Sequence, residues 1–238
     1  MYKELFKATV ERTGIGGAPI DLVDESLVYI GDYAYSYHTM LGRIKLDNVV
    51  SCGRSPFERA VLGGNIEFPN LATIGTYFAA NASFRNSPYW ESGDGLITIR
   101  IPKVAVLSAN AFYGITQLPG STKPLYEVYL DQCTEIQGNC FYNCSGLRHL
   151  YAPNVTSITG STTFLALGGT YPQRNPAVSM VVGSADGLTG MSMAMLIAQQ
   201  DFPFGYASTG FGRVTWYCND GTVTYDTTQG VWVQTQYS

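Results

Sequence analysis

Two histidines, His38 and His149, are where acid–base or nucleophilic chemistry would have to start in this 238-residue chain. A Ser-His-Asp relay needs a hydroxyl and a carboxylate converging on one imidazole, and the two histidines lie far apart with no such set spaced around either. No P-loop, His-Glu-x-x-His or Gly-x-Ser-x-Gly motif occurs. Glu91, Asp94 and Asp201 read as loop acids without evident partners, and glycoside hydrolysis stays open, since it needs only two carboxyl groups facing a groove. Cys140-x3-Cys144 has no second pair or nearby histidine to complete a zinc set. With Cys52, Cys133 and Cys218 the thiols number five, an odd count that argues against a secreted disulfide framework and for reduced, buried thiols acting as small hydrophobes. Asn81-Ala-Ser, Asn143-Cys-Ser and Asn154-Val-Thr match glycosylation acceptors and read as ordinary polar turns. The expectation is a chain with no catalytic residues, no metal and no cofactor.

Composition points to binding instead. Charged residues are 13% of the chain against 45% apolar, so Ser, Thr, Asn, Gln, Gly and 17 tyrosines must cover the surface. Tyr among small polar residues gives large, adaptable contacts at low entropic cost. The net charge is −4 and no Lys/Arg cluster occurs, which excludes a nucleic-acid footprint. No apolar run reaches the ~20 residues of a membrane helix, and the segment Met1–Lys7 has no apolar signal core.

The elements that would carry a binding surface repeat. Five segments align without gaps, beginning at Leu46, Phe68, Ile101, Leu130 and Ala152, with apolar residues at offsets 0, 3 and 6. An aromatic follows each: Phe57, Phe78, Phe112, Phe141 and Phe164. Ile44, Ile66, Ile99, Val128 and Leu150 stand at offset −2, and Leu41, Leu96, Leu125 and Leu147 at −5. Together these give L-x-x-L-x-L, the strand signature of leucine-rich repeats. A weaker copy (Asp24, Leu27, Ile30, Tyr35) opens the array, and Ala177–Val182 extends it. Steps of 22 residues (24 to 46, 46 to 68, 130 to 152) alternate with longer ones of 33, 29 and 30 (68 to 101, 101 to 130, 152 to 182). The surplus reads as insertions on a constant turn. Pro69, Pro102 and Pro153 end strands at offset +1, Asn48, Asn70 and Asn154 follow at +2, and Gly31, Gly75 and Gly138 mark the bend on the far side.

Ile101-Pro-Lys-Val-Ala-Val-Leu-Ser-Ala-Asn-Ala-Phe112-Tyr, Ile30-Gly-Asp-Tyr-Ala-Tyr35 and the ending Cys140-Phe-Tyr-Asn-Cys144-Ser-Gly-Leu147 resemble the BspA-type (Treponema-type) leucine-rich repeat over about residues 20–185. The resemblance implies a mainly β leucine-rich-repeat solenoid, here of about six to seven turns. It implies surface recognition and adhesion, as in bacterial surface proteins and phage-encoded proteins, with no catalytic set to transfer. Long inserts and the lack of a signal core are departures. The expected organisation is an N-terminal cap (1–20), the solenoid (21–185) and a C-terminal cap or attachment element (186–238). In the last, Met191–Ala198 reads as a short helix, Val214–Tyr225 as a hairpin around Asp220-Gly221, and Val231–Val233 as a third strand.

Two surfaces compete for the partner. On the strands, offsets −3 and −1 point away from the core and stack into columns that include Arg100, Glu127, Tyr129, His149 and Tyr151. On the rim, the insertions fall between the aromatic and the next strand and carry Phe84, Arg85, Tyr89, Trp90, Tyr171 and Arg174; the expectation is that they cluster on one edge and that Tyr89 and Trp90 lead the contact, with the Tyr129–Tyr151 strand face next in line. The functional expectation is a phage virion protein, on tail or capsid, binding a bacterial surface protein or glycan. It would sit among other virion proteins, as a homo-oligomer or alone, without nucleic acid or membrane insertion. The alternatives are a bacterial cell-surface adhesin and a purely structural or scaffold component. The repeat register makes its own prediction. Ile99, Ile101, Val104 and Leu107 belong to one turn's core, so Leu107→Ala lowers unfolding free energy by about 2–5 kcal/mol; urea denaturation measures it, and an unchanged midpoint contradicts the register.

Overall fold

A computed structural model describes residues 20–38, 41–62, 64–84, 96–117, 125–144, 146–160, 162–164, 179–183, 188–198, 213–226 and 229–238. In chain order the elements begin with β1 (Ile20–Val23), β2 (Tyr29–Ile30), β3 (Leu41–Lys45), β4 (Ser51–Cys52), β5 (Val61–Leu62), β6 (Ile66–Glu67) and β7 (Ser83–Phe84). They continue with β8 (Leu96–Arg100), β9 (Val106–Leu107), β10 (Thr116–Gln117), β11 (Leu125–Tyr129), β12 (Glu135–Ile136), β13 (Leu147–Tyr151), β14 (Ser157–Ile158) and β15 (Ser179–Val182). A five-residue helix α1 (Met193–Ile197) precedes β16 (Arg213–Cys218), β17 (Gly221–Asp226) and β18 (Val231–Gln236).

The chain is a mainly β solenoid. β1, β3, β6, β8, β11, β13 and β15 stack in parallel into one sheet. On the far side two-residue strands form narrower parallel ribbons, β2–β4 and β9–β12–β14, with a bridge from Ser51 to Thr73. The apolar ladder lies between the two walls: Ile99, Ile101, Val104 and Leu107 are fully buried, and so are their counterparts in neighbouring turns. One turn has no second layer of its own, so burial comes from stacking, as in repeat proteins generally.

The arc that closes each turn is a run of tight turns joined to its neighbours by backbone bonds. Tyr33, Tyr35 and Tyr37 donate to the carbonyls of Arg54, Pro56 and Glu58 in the next turn, while Ala34, Ser36 and His38 donate back three residues. Ser55, Phe57 and Arg59 repeat this onto Thr76, Phe78 and Ala80, and Asn110, Phe112 and Gly114 onto Gly138, Cys140 and Tyr142. The geometry puts two residues four apart in the left-handed region in each arc: Tyr33 and Tyr37, Ser55 and Arg59, Tyr77 and Asn81, Asn110 and Gly114, Asn139 and Asn143. Tyrosine and arginine there cost backbone energy, which the inter-turn bonds offset. The asparagines at offset +2 tie the opposite corner. The side-chain amides of Asn48, Asn70 and Asn154 donate to the carbonyls of Glu25, Asp47 and Asp131 at 2.6–2.8 Å. At the bend, Gly75 passes so close to Gly53 that a Cβ would meet its carbonyl.

Two sequence expectations need correcting. Tyr126 and its register partner Ile97 are both buried at offset −4, two positions before Val128 and Ile99, so alternation along β11 and β8 turns them inward. The β11–β13 ladder shifts register between Tyr126 and Glu127, where β13 has one residue more, the exposed Arg148. The hairpin loop consists of Asn219 and Asp220, with Gly221 already in the ladder opposite Cys218. Gly221 is needed there because Met193 and the Thr235 carbonyl leave no room for a side chain.

The C-terminal elements continue the same sheet. β16 pairs in parallel with β15, then β17 and β18 follow antiparallel. The helix is fixed by its own cap, Ser192 Oγ accepting from Met195 N, and by Asp220 accepting from Met193 N at 2.8 Å. Residues 1–19 of the expected N-terminal cap lie outside the described residues, and Ile20–Val23 already belongs to the sheet.

All five cysteines are free and buried. Burial pushes the thiols of Cys52 and Cys144 up to about 12 and those of Cys133 and Cys218 to about 11, and raises Cys140 further still. Since the thiolate is the reactive form, a thiol reagent at neutral pH labels the folded chain far more slowly than the chain in urea. Fast labelling of Cys52 and Cys133 before unfolding contradicts the core placement.

Candidate functional site

The parallel register of β8, β11 and β13 carries the outward columns into direct contact. Glu127 stands opposite Thr98 and His149, and Tyr129 opposite Arg100 and Tyr151. Alternation along each strand sends Tyr126, Val128 and Leu150 into the core and leaves these side chains on the outer face. Five residues thus form one connected cluster, which the sequence columns anticipated.

Tyr129 is its centre. The Arg100 guanidinium lies 4.1 Å from the Tyr129 ring centroid, a cation–π contact worth about 0.5–1 kcal/mol at an exposed site. The phenol donates to Glu127 Oε2 at 2.8 Å. The rings of His149 and Tyr151 sit 5.9 and 5.8 Å away, tilted by 46° and 39°. Each side chain is therefore held by a neighbour before any partner arrives, which lowers the entropy lost on binding. Partial burial raises the Tyr129 phenol above its usual range, Glu127 adds to the rise and Arg100 opposes it. Partial burial also holds the His149 imidazole below its usual 6.5, with Glu127 pulling the other way.

At neutral pH the cluster presents two aromatic faces, a neutral imidazole, one cation and one anion. That set can stack on, and hydrogen-bond to, an uncharged polar ligand or a mixed protein surface. Among the described residues no group of three or more His, Cys, Asp or Glu converges in a way that would hold a metal ion.

The rim is only partly in view. Phe84 begins the first insertion as the last residue of β7, and Arg85, Tyr89, Trp90, Tyr171 and Arg174 lie outside the described residues. The roots of two insertions are neighbours, since Ser83–Phe84 pairs in parallel with Thr116–Gln117.

Sequence columns missed a second aromatic comb, on the arcs. Arg54 lies between the Tyr33 and Tyr77 rings at 6.0 and 5.5 Å, Arg59 covers Tyr37 at 5.3 Å, and Tyr113 stacks on Tyr142 at 5.0 Å. The recurrence of Tyr within two residues of the arc aromatics was the available signal. Its register could not be assigned without the two left-handed residues.

The architecture defines a leucine-rich-repeat protein whose outer sheet face carries a connected cluster of polar and aromatic side chains. The chain matches the family profile described as "BspA type Leucine rich repeat region" in six copies, over residues 19–85 and 82–167. It belongs to that family, whose repeats serve protein–protein or surface recognition and are typically non-enzymatic. No curated protein and no solved structure matches the chain.

The His149 environment makes a prediction. Its folded pKa is lowered, so the folded chain binds fewer protons than the unfolded chain, and this site's contribution to stability is lost as pH falls through 6.5 toward the folded value. Glu127→Gln removes the charge that favours the imidazolium and moves the midpoint further down. Proton NMR titration of His149 in both proteins tests this; an upward or absent shift contradicts the contact.

Proposed function

We propose that this chain is a non-catalytic recognition protein of a phage virion, on tail or capsid, and that it binds a bacterial surface protein or glycan through the outer face of β8, β11 and β13. The observation that carries the reading is the contact chain Arg100–Tyr129–Tyr151 with Glu127 and His149, in which aromatic and arginine side chains are pre-positioned on a rigid sheet. Tyr and Arg are the residue types that dominate binding energy at interfaces, and a repeat scaffold loses little order on binding. Family membership favours recognition over catalysis. Few charges on the chain favour a ligand bound by stacking and neutral hydrogen bonds over one captured by long-range attraction.

The test is binding of the purified chain to whole bacterial cells. Tyr129→Ala/Tyr151→Ala weakens binding by about tenfold or more with the fold intact, since truncating interface anchors costs about 2 kcal/mol or more each. If that variant binds normally and Tyr89→Ala/Trp90→Ala does not, the rim insertions are the contact. Mass spectrometry of purified phage particles tests the virion assignment: presence in the particle is expected, and a chain found on the bacterial cell envelope but never in particles makes it an adhesin.

A further inference from the structure

We infer that Arg54, held between Tyr33 and Tyr77, forms a second binding site on the arcs, separate from the sheet face, and that this site takes a carboxylate carried by a ligand.

The three residues come from three successive turns. The Arg54 guanidinium lies 6.0 Å from the Tyr33 ring centroid and 5.5 Å from that of Tyr77. Ser55, small and fully buried, stands between the two tyrosines in the arc column and leaves room for it. Arg54 is exposed, and Tyr33 is 49% exposed. A cation–π contact uses the charge of a guanidinium and not its N–H groups. Among the described residues no acceptor bonds to the Arg54 guanidinium and no carboxylate lies within ion-pair distance of it. Arg43, Arg59 and Arg213, by contrast, each have a carboxylate at 3.7, 4.0 and 3.8 Å. Asp32 is the acid of the preceding arc, and its carboxylate accepts from the Arg54 backbone N–H at 2.7 Å.

The next arginine along the arc shows the complete arrangement. Arg59 covers the Tyr37 ring at 5.3 Å, and its Nε faces Glu58 Oε1 at 4.0 Å. Arg54 has the rings without the acid. A planar guanidinium meets a carboxylate through two parallel N–H donors. The phenols of Tyr33 and Tyr77 have no hydrogen-bond partner among the described residues, and they add a hydroxyl on either side of the guanidinium. A fork flanked by two hydroxyls fits the two oxygens of a carboxylate, whether an acidic sugar or an acidic side chain brings it.

The backbone supplies an independent argument. Tyr33 and Tyr77 sit in the left-handed region, at φ 57° and 60°. The same position in two later arcs carries Asn110 and Asn139, both at φ 60°, and asparagine is a residue type that tolerates this region. The inter-turn bond forms with either residue: Tyr33 N donates to the Arg54 carbonyl, Tyr77 N to that of Ala109 and Asn110 N to that of Gly138. The fold therefore does not require tyrosine at these two positions. Strained residues cluster at ligand clamps, and here the two strained tyrosines are the two rings on Arg54.

The test is an NMR titration of the full chain with sodium acetate, against sodium chloride at equal ionic strength, following the Arg54 Nε–H signal. Acetate gives a saturable shift and chloride does not. Arg54→Lys keeps the charge, loses the fork and weakens acetate binding by about tenfold or more. Tyr33→Asn/Tyr77→Asn places asparagine where Asn110 and Asn139 already stand; it melts no lower than the wild type and loses acetate binding. Glucuronate and N-acetylaspartate distinguish the sources, since the one that binds more tightly than acetate names the kind of ligand, and equal binding of all three means that the carboxylate alone is read. A shift that does not saturate, a carboxylate affinity unchanged in Arg54→Gln, or a double asparagine variant that binds acetate like the wild type overturns the inference. Cell binding by Tyr129→Ala/Tyr151→Ala bears only on the sheet face.

Discussion

Every turn of this protein touches the next through an aromatic ring, and the architecture depends on that contact being repeatable. Tyr35, Phe57, Phe78, Phe112, Phe141 and Phe164 follow one another at centroid spacings of 5.4–5.9 Å, and Trp216 closes the series 5.4 Å from Phe164. A ring fills the inner side of the arc, where the chain doubles back too tightly to bring several smaller side chains together. Adjacent rings are stacked at three steps and edge-on at the other three, so the spine accommodates small variations in arc position. Those rings fix the height of each turn, and the backbone bonds between arcs and between strands then fall into register.

The spine explains which parts of the fold were legible in the sequence. Phe57, Phe78, Phe112, Phe141 and Phe164 stand out because nothing else in a 22-residue period is aromatic at so constant an offset. The apolar positions at offsets −2, 0, 3 and 6 are legible for the same reason, since each must match its neighbour above and below. Tyr126 falls outside the L-x-x-L-x-L positions, at offset −4, and only alternation along the strand with Val128 and Leu130 places it inward. The left-handed positions at Tyr33, Tyr77 and Arg59 were not legible, because residue type gives no hint of positive φ and only the bonds to the next turn explain the conformation. Trp216 lies in the expected hairpin, and it is also the ring that continues the spine beyond Phe164. Its spacing from Phe164 is much longer than one repeat, so periodicity could not connect the two.

The outer sheet face was legible as columns of residues and not as contacts. Alternation along a strand predicts that Glu127, Tyr129, His149 and Tyr151 point outward, but not that Tyr129 becomes the hub joining Arg100 to Glu127 and His149. That depends on the strands being in register without a stagger, which brings residues 29 or 22 positions apart in sequence into direct opposition. The same absence of stagger gives the face its uneven character. Toward β3 and β6 it carries exposed ion pairs such as Arg43–Glu67 at 3.7 Å, each worth little on its own. Toward β13 it becomes aromatic.

The pairing of β7 with β10 separates two kinds of inheritance. Phe84 and Gln117 are neighbours in the ladder, and residues added after either one leave from the same point of the repeat. Lengthening the chain there alters neither ring height nor strand register, because both are fixed by residues on either side of the exit point. Length can thus be added at that edge without disturbing the contacts of the stacked core. The result is a scaffold whose tolerance of added length concentrates at one seam, where a longer loop costs only the slowly growing entropy of closing it.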